Sequence, residues 1–187
     1  IATIQFLGIG NIHVMRNSLH ALVRACSEDS SFGVSTVEHA SERKHNRGKV
    51  GSFLSSVAAS GWLDHVGRVL RSSQEVAHAL DAGHPCVVHC SDGWDRTSQL
   101  CALAQLMLDR HFRTIRGFAA LVEKDWCGFG HMFATRCGLT NDRDGNSPIF
   151  LQFLDVIHQM VLQVPEAFEF DERLLVFLAT QALYTGF

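Results

Sequence analysis

The chain has 187 residues, of which 47% are hydrophobic and 19% charged; it is long enough to bury a core, and this balance excludes a disordered or low-complexity polymer. A formal net charge of −3 excludes broad attraction to nucleic acid or an anionic membrane. Any anionic partner must be recognised by a few local groups in a pocket, and no nucleic-acid partner is expected.

The six cysteines, Cys26, Cys86, Cys90, Cys101, Cys127 and Cys137, have no compact disulfide spacing, which points to a reducing compartment, the cytosol. No secretory leader and no apolar run of membrane-spanning length is expected. Ile1 to Leu7 is a β-rich run closed by Gly8 and Gly10. It begins at Ile rather than Met and reads as part of a longer protein that continues on the N-terminal side. From Ile12 to Cys26 the residues Ile12, Met15, Leu19, Leu22 and Val23 recur at helical spacing. Residues 27–51 are polar and read as a loop insertion, with the basic cluster Arg43 to Arg47 as a solvated patch.

Phe53 to Leu80 is mostly helical, with Trp62, Leu63, Val66, Val69, Leu70, Val76 and Leu80 as core candidates and Gly83 closing it. Pro85 to His89 suits a buried central strand. Ser91 to Arg96 is a loop, followed by helices over Thr97 to Leu108 and Phe112 to Trp126. Asn141 to Asn146 is rich in turn residues, and two amphipathic helices, Ile149 to Val164 and Asp171 to Leu183, part near Pro165. The expected fold is α/β: one domain over residues 1–187, helix-rich around a small, mainly parallel central sheet.

The segment that carries chemistry is Cys90-Ser91-Asp92-Gly93-Trp94-Asp95-Arg96-Thr97, between the predicted strand and a helix. A short loop leading into a helix turns its N–H groups inward as an anion nest, and the helix N-terminus adds unpaired N–H groups and a positive dipole end. In that field a thiolate at Cys90 is stabilised as a nucleophile. Arg96 can grip two phosphate oxygens through its planar fork. Gly93 permits a turn conformation closed to other residues, and Thr97 or Ser98 can cap the helix and assist the departing thiolate. A bare Cys-x5-Arg spacing is weak; its place between strand and helix strengthens it. Two carboxylates, Asp92 and Asp95, beside a phosphate site are repulsive unless one is protonated and supplies a proton.

These eight residues resemble the signature of the myotubularin family of phosphoinositide 3-phosphatases. So do Asn11 to Arg16, Gly61 to His65, Arg113 to Phe118, Glu123 to Trp126, Gly130-His131, Ser147 to Phe150 and Ala167 to Phe170. The resemblance covers nearly all of the chain except residues 27–51. It implies a protein-tyrosine-phosphatase-like fold and removal of the D3 phosphate from phosphatidylinositol 3-phosphate and phosphatidylinositol 3,5-bisphosphate. It implies Cys90 as nucleophile through a phosphocysteine, Arg96 as clamp, and Asp95, favoured over Asp92, as proton donor. Substrate contacts are expected from Asn11, Ile12, Ser91, Asp92, Gly93, Trp94, Asp95, Arg96 and Arg136. Family members often carry a basic residue where this chain has Met132, so headgroup binding is expected to differ. No cofactor or metal is expected. The expected partners are a phosphoinositide headgroup at a membrane surface and related chains in an oligomer. The expected location is the cytoplasm, peripheral to endosomal or other phosphoinositide-bearing membranes.

Two other enzyme or binding classes compete: a tyrosine or dual-specificity phosphatase sharing Cys90 and Arg96, and an adaptor that binds phosphoinositide without turnover. A zinc site built from His84, Cys86, His89 and Cys90, or from Cys127, His131 and Cys137, is disfavoured. Side chains alternate along a strand, so Cys86 and His89 would face apart.

Overall fold

A computed structural model describes residues 3–29 and 52–185. Most of the predicted insertion at 27–51, including its basic cluster, lies outside the described residues. Helix α1 spans Ile12–Asp29. Its start is set by Asn11, whose side-chain oxygen accepts from the N–H groups of His13 and Val14, both at 3.1 Å; this satisfies two donors that lack an intrahelical partner.

The stretch expected to be mostly helical, Phe53 to Leu80, is helical in two pieces. Residues 52–59 form α2 and Trp62–Asp81 form α3. Gly61 lies between them at φ 68°, a left-handed conformation that favours glycine and breaks the helical path. Along α3 the buried face is Trp62, Val66, Val69, Ser73 and Ala77. Leu63 and Leu80, expected in the core, fall off that face and are 56% and 41% exposed. Composition made them candidates, but helical phase excludes them.

Helix α4, Arg96–Leu108, is central. It packs between α3 and α7 (Ile149–Gln163), with α5 (Ile115–Val122) and a π-helical turn over Glu123–Gly128 covering its far end. Its buried residues, Ser98, Gln99, Leu100, Ala102, Leu103, Ala104 and Leu106, leave little polar stripe, as suits a helix covered on most sides. Its last carbonyls are met by Arg113, whose Nη1 donates to Leu106 O at 3.4 Å and Met107 O at 3.3 Å. A short helix α6 spans Phe133–Arg136, and α8, Glu172–Thr185, packs on α7.

The core is aromatic around Trp126, whose ring lies 4.9 Å from Phe150 and 4.7 Å from Phe153. Phe118 stacks on Phe170 at 4.7 Å. Each such side chain contributes about 1.5–3 kcal/mol by leaving water, plus about 0.5–1.5 kcal/mol per aromatic pair.

The expected central sheet is not present: the described residues contain no strand. The two runs read as strands, in residues 3–7 and 85–89, are irregular and largely exposed, with Ile4 at 80%, Phe6 at 92% and Val87 at 92%. Their β-branched and apolar composition reports that they would fit a half-buried pleated surface. A strand also needs a hydrogen-bonded neighbour, and neither run finds one among the described residues. Among the described residues no helix is long and apolar enough to cross a membrane.

Candidate active site

Residues 90–96 leave the irregular segment before them, turn at Gly93 and enter α4. Gly93 adopts φ 93° with open space around the position of a Cβ. A larger residue there is therefore opposed by backbone conformation and not by crowding. The turn folds the loop back on Cys90. The Gly93 N–H donates to Cys90 Sγ at 3.2 Å, and Thr97 Oγ1 donates to the same sulfur at 3.3 Å. Partial burial pushes the thiol up. The Thr97 hydroxyl and the N–H groups of Gly93, Thr97 and Asp92 outweigh it and hold Cys90 below its ordinary value. The contrast with other cysteines is sharp: burial pushes Cys101, Cys127 and Cys137 up, helped at Cys101 by Asp125 and at Cys127 by Glu123.

Arg96 is half-buried at the first position of α4, and its Nη2 donates to Ser91 Oγ at 3.1 Å. Ser91 in turn donates to Asp92 Oδ2 at 3.2 Å. Ser91 and Asp92 are exposed on the loop, and Trp94 is half-buried. The Cys90 sulfur, the Arg96 guanidinium and loop N–H groups thus share one short segment, the arrangement that suits attack on a phosphorus atom whose oxygens are held by donors.

Asp95 behaves differently. It occupies the N-cap position of α4, yet its side chain accepts nothing from its own helix. The buried carboxylate turns away to Arg136, with Arg136 Nε 3.1 Å from Oδ1 and Nη2 2.8 Å from Oδ2. The His131 Nδ1 lies 3.1 Å from Oδ1 and 2.8 Å from the Trp94 carbonyl. Burial pushes Asp95 up, but hydrogen bonds from His131 and Arg136 and the charge of Arg136 outweigh it and hold Asp95 below the usual carboxylate range.

Arg136 is buried behind the loop, its Nη1 donating to Gly145 O at 2.8 Å. The turn-rich segment after α6 is stitched to α1 as well. Arg16 Nη1 donates to Arg143 O at 2.8 Å, and Ser147 Oγ donates to Ile12 O at 2.8 Å. This chain of contacts runs from the Asn11 and Ile12 end of α1, through Ser147, Gly145 and Arg136, to Asp95. The sequence reading named Arg136 and Asp95 but not their pairing. It gave His131 no role in the site, although Gly130-His131 stands in a family-like segment. Among the described residues no group of three or more His, Cys, Asp or Glu side chains is placed to hold a metal ion.

Comparison with known proteins agrees with this arrangement. A family model described as the myotubularin-like phosphatase domain matches residues 1–187. Phosphatidylinositol-3,5-bisphosphate 3-phosphatase MTMR6 of Caenorhabditis elegans is 46% identical over 177 residues, covering 92% of this chain and 24% of that protein. The human protein of the same name is 44% identical over 174 residues, 92% of this chain and 25% of that one. Human phosphatidylinositol-3-phosphate phosphatase MTMR7 is 42% identical over 174 residues, 92% and 24%. The chain spans about a quarter of the length of these relatives. With the family model matched from end to end and the loop after Cys90 folded back on its sulfur, the chain belongs to the myotubularin-like phosphatase family.

Proposed function

We propose that this chain carries the reaction centre of a phosphoinositide 3-phosphatase acting on phosphatidylinositol 3-phosphate and phosphatidylinositol 3,5-bisphosphate. The observation that carries the reading is the pair of donors on Cys90 Sγ, from Gly93 N–H and Thr97 Oγ1, at the mouth of a loop ending in Arg96. The Cys90 thiolate attacks phosphorus, the bond from phosphorus to the inositol oxygen breaks, and water then hydrolyses the phosphocysteine. Arg96 and the loop N–H groups stabilise the equatorial oxygens throughout. The names of the relatives, which cover both the mono- and the bisphosphate, support this substrate class.

The leaving inositol oxygen needs a proton. Asp95 was the expected donor and Asp92 its alternative. The contacts of Asp95 favour an ionised carboxylate that accepts hydrogen bonds. Asp92 is exposed on the loop beside the nucleophile, which supports Asp92 as the donor. The burial of Arg136 against Asp95 supports a role behind the loop. Asn11, exposed at the start of α1, and Ile12 are the proposed headgroup contacts from outside the loop. On this reading the protein works in the cytoplasm, peripheral to phosphoinositide-bearing membranes. Exposed apolar side chains on α8, Val176, Phe177 and Tyr184, favour the expected association with related chains.

The test is phosphate release from short-chain phosphatidylinositol 3-phosphate by the full-length protein, with Cys90→Ser as control and a phosphotyrosine peptide alongside. Lipid turnover lost in Cys90→Ser is the expected result. Turnover of the peptide alone would make the protein a tyrosine phosphatase, and binding of the lipid without turnover would make it an adaptor.

A further inference from the structure

An Asp at the N-cap normally accepts from its own helix, which closes the helix N-terminus. At α4 that closure would be harmful: the free N–H groups there face Cys90 and the place of the phosphate, and a carboxylate among them would repel both. Asp95 occupies the N-cap position of α4 without capping it. Two residues hold its carboxylate elsewhere. Arg136 grips both oxygens, and His131 reaches Oδ1 and, with the same nitrogen, the Trp94 carbonyl. Both neighbours of Nδ1 are acceptors, so Nδ1 carries the proton; its N–H donates to the Trp94 carbonyl, and Asp95 Oδ1 lies within ion-pair distance of the same nitrogen.

His131 has little freedom to do anything else. Its side chain is fully buried. The ring meets Trp126 edge-on at 4.8 Å and Phe133 edge-on at 4.8 Å. Its own N–H donates to Trp126 O at 2.9 Å. Trp126 is fully buried in the aromatic core against Phe150 and Phe153. The imidazole thus links a rigid core to two consecutive loop residues, immediately before Arg96 clamps phosphate and Thr97 holds the thiolate.

We propose that His131 is a positioning residue: it holds the Trp94 carbonyl through its Nδ1–H and the Asp95 carboxylate through the contact of the same nitrogen with Oδ1, so that the N-terminus of α4 stays open for the Cys90 thiolate and a phosphoryl group. The inference rests on the cysteine-phosphatase reading of the loop and adds a residue to it. His131 touches neither substrate nor nucleophile; it acts through Asp95 and the backbone.

The experiment compares His131→Phe, His131→Asn and His131→Gln in the full-length protein. Phe keeps a ring and removes the donor. Asn places an amide N–H where Nδ1 stood, and Gln places one where Nε2 stood. The readouts are the iodoacetamide alkylation rate of Cys90, followed by peptide mass at neutral pH, and its protection by inorganic phosphate. Neither needs lipid turnover. His131→Phe should slow Cys90 alkylation and weaken phosphate protection about tenfold, the ordinary worth of one hydrogen bond to a charged group. His131→Asn should restore most of both, and His131→Gln should not. If His131→Phe does not fold, the Asn and Gln pair decides alone. Adding Asp95→Asn to His131→Phe should cost clearly less than the sum of the two single effects, because both act in part through one carboxylate.

Wild-type behaviour in a folded His131→Phe, equal effects of Asn and Gln, or full additivity with Asp95→Asn would each overturn the proposal. A wild-type protein whose Cys90 is neither the fastest cysteine nor protected by phosphate would overturn the phosphatase reading, and this inference with it.

Discussion

Arg136 and Asp95, 41 residues apart in the chain, meet in a two-pronged ion pair, Nε to Oδ1 at 3.1 Å and Nη2 to Oδ2 at 2.8 Å. Both are buried, so removing one strands the other's charge. Arg136→Leu should destabilise the fold by about 3–5 kcal/mol, the usual cost of breaking a buried pair. The pH dependence follows from the sign of the shift. Asp95 is held below its ordinary value, so its contribution is complete above the unfolded pKa of about 3.9 and is lost as pH falls through the folded value. Thermal melts of wild type and Asp95→Asn should therefore be furthest apart near neutral pH and converge as the solution is acidified. A gap that stays constant into acid would remove Asp95 as an ionised anchor.

Thr97 supplies both a hydroxyl and an N–H to the Cys90 sulfur, and only the hydroxyl can be mutated away. Thr97→Ala should slow alkylation of Cys90 at neutral pH about tenfold, with Thr97→Ser close to wild type. In wild type, Cys90 should react ahead of Cys101, Cys127 and Cys137, whose thiols burial pushes up. Peptide mapping of a brief iodoacetamide exposure measures this order. Labelling of any of those three ahead of Cys90 would show that the loop does not activate its thiol.

What could be read from the sequence divides along the range of the interactions. Cys90, Gly93, Arg96 and Thr97 are within eight positions of one another, and the roles proposed for them follow from a loop meeting a helix. The helices α1, α7 and α8 carry their own periodicity. The break at Gly61 is not legible in the sequence, because glycine inside a periodic run has no fixed meaning until φ is known. The sheet failed for the opposite reason. Ile4, Phe6 and Val87 have strand-forming side chains, but a strand is defined by its neighbour, and no neighbour is encoded in the run itself. His131 shows the same limit at the site: it folds back across 37 residues to Trp94, and nothing local to Gly130-His131 announces that contact. The pairing of Arg136 with Asp95 was equally hidden, since an exposed Arg in a substrate pocket and a buried Arg behind it have the same spelling.

The two loop carboxylates should separate by leaving group. A proton donor matters when the departing oxygen is an alkoxide and matters little when it is an acidic phenol. Asp92→Asn should lower kcat on short-chain phosphatidylinositol 3-phosphate about 100-fold or more, with a small effect on an activated aryl phosphate. Asp95→Asn disturbs the seat of the loop and should lower both rates to a similar degree. The reverse pattern, a selective loss on lipid in Asp95→Asn and none in Asp92→Asn, would return the donor role to Asp95.

The seat of α4 also depends on a polar contact far from solvent. Gln99 on α4 and Gln152 on α7 are both fully buried, and Gln99 Nε2 donates to Gln152 Oε1 at 2.9 Å and to Ile149 O at 3.1 Å. Such a pair contributes little net stability, but leaving one member unpaired costs the full desolvation of that group. Gln99→Leu, close in volume, should destabilise by about 1–3 kcal/mol. The double change Gln99→Leu with Gln152→Leu should recover much of that loss, because neither amide is then orphaned. The pair also ties α4 to α7, and α4 carries Arg96 and Thr97. The double variant should therefore be more stable than either single variant while reacting more slowly at Cys90 than wild type. Urea denaturation and Cys90 alkylation measure the two quantities separately. Recovery of stability with unchanged thiol reactivity would make the pair a packing feature with no bearing on the loop; recovery with slower alkylation would tie the register of the core to the geometry of the site.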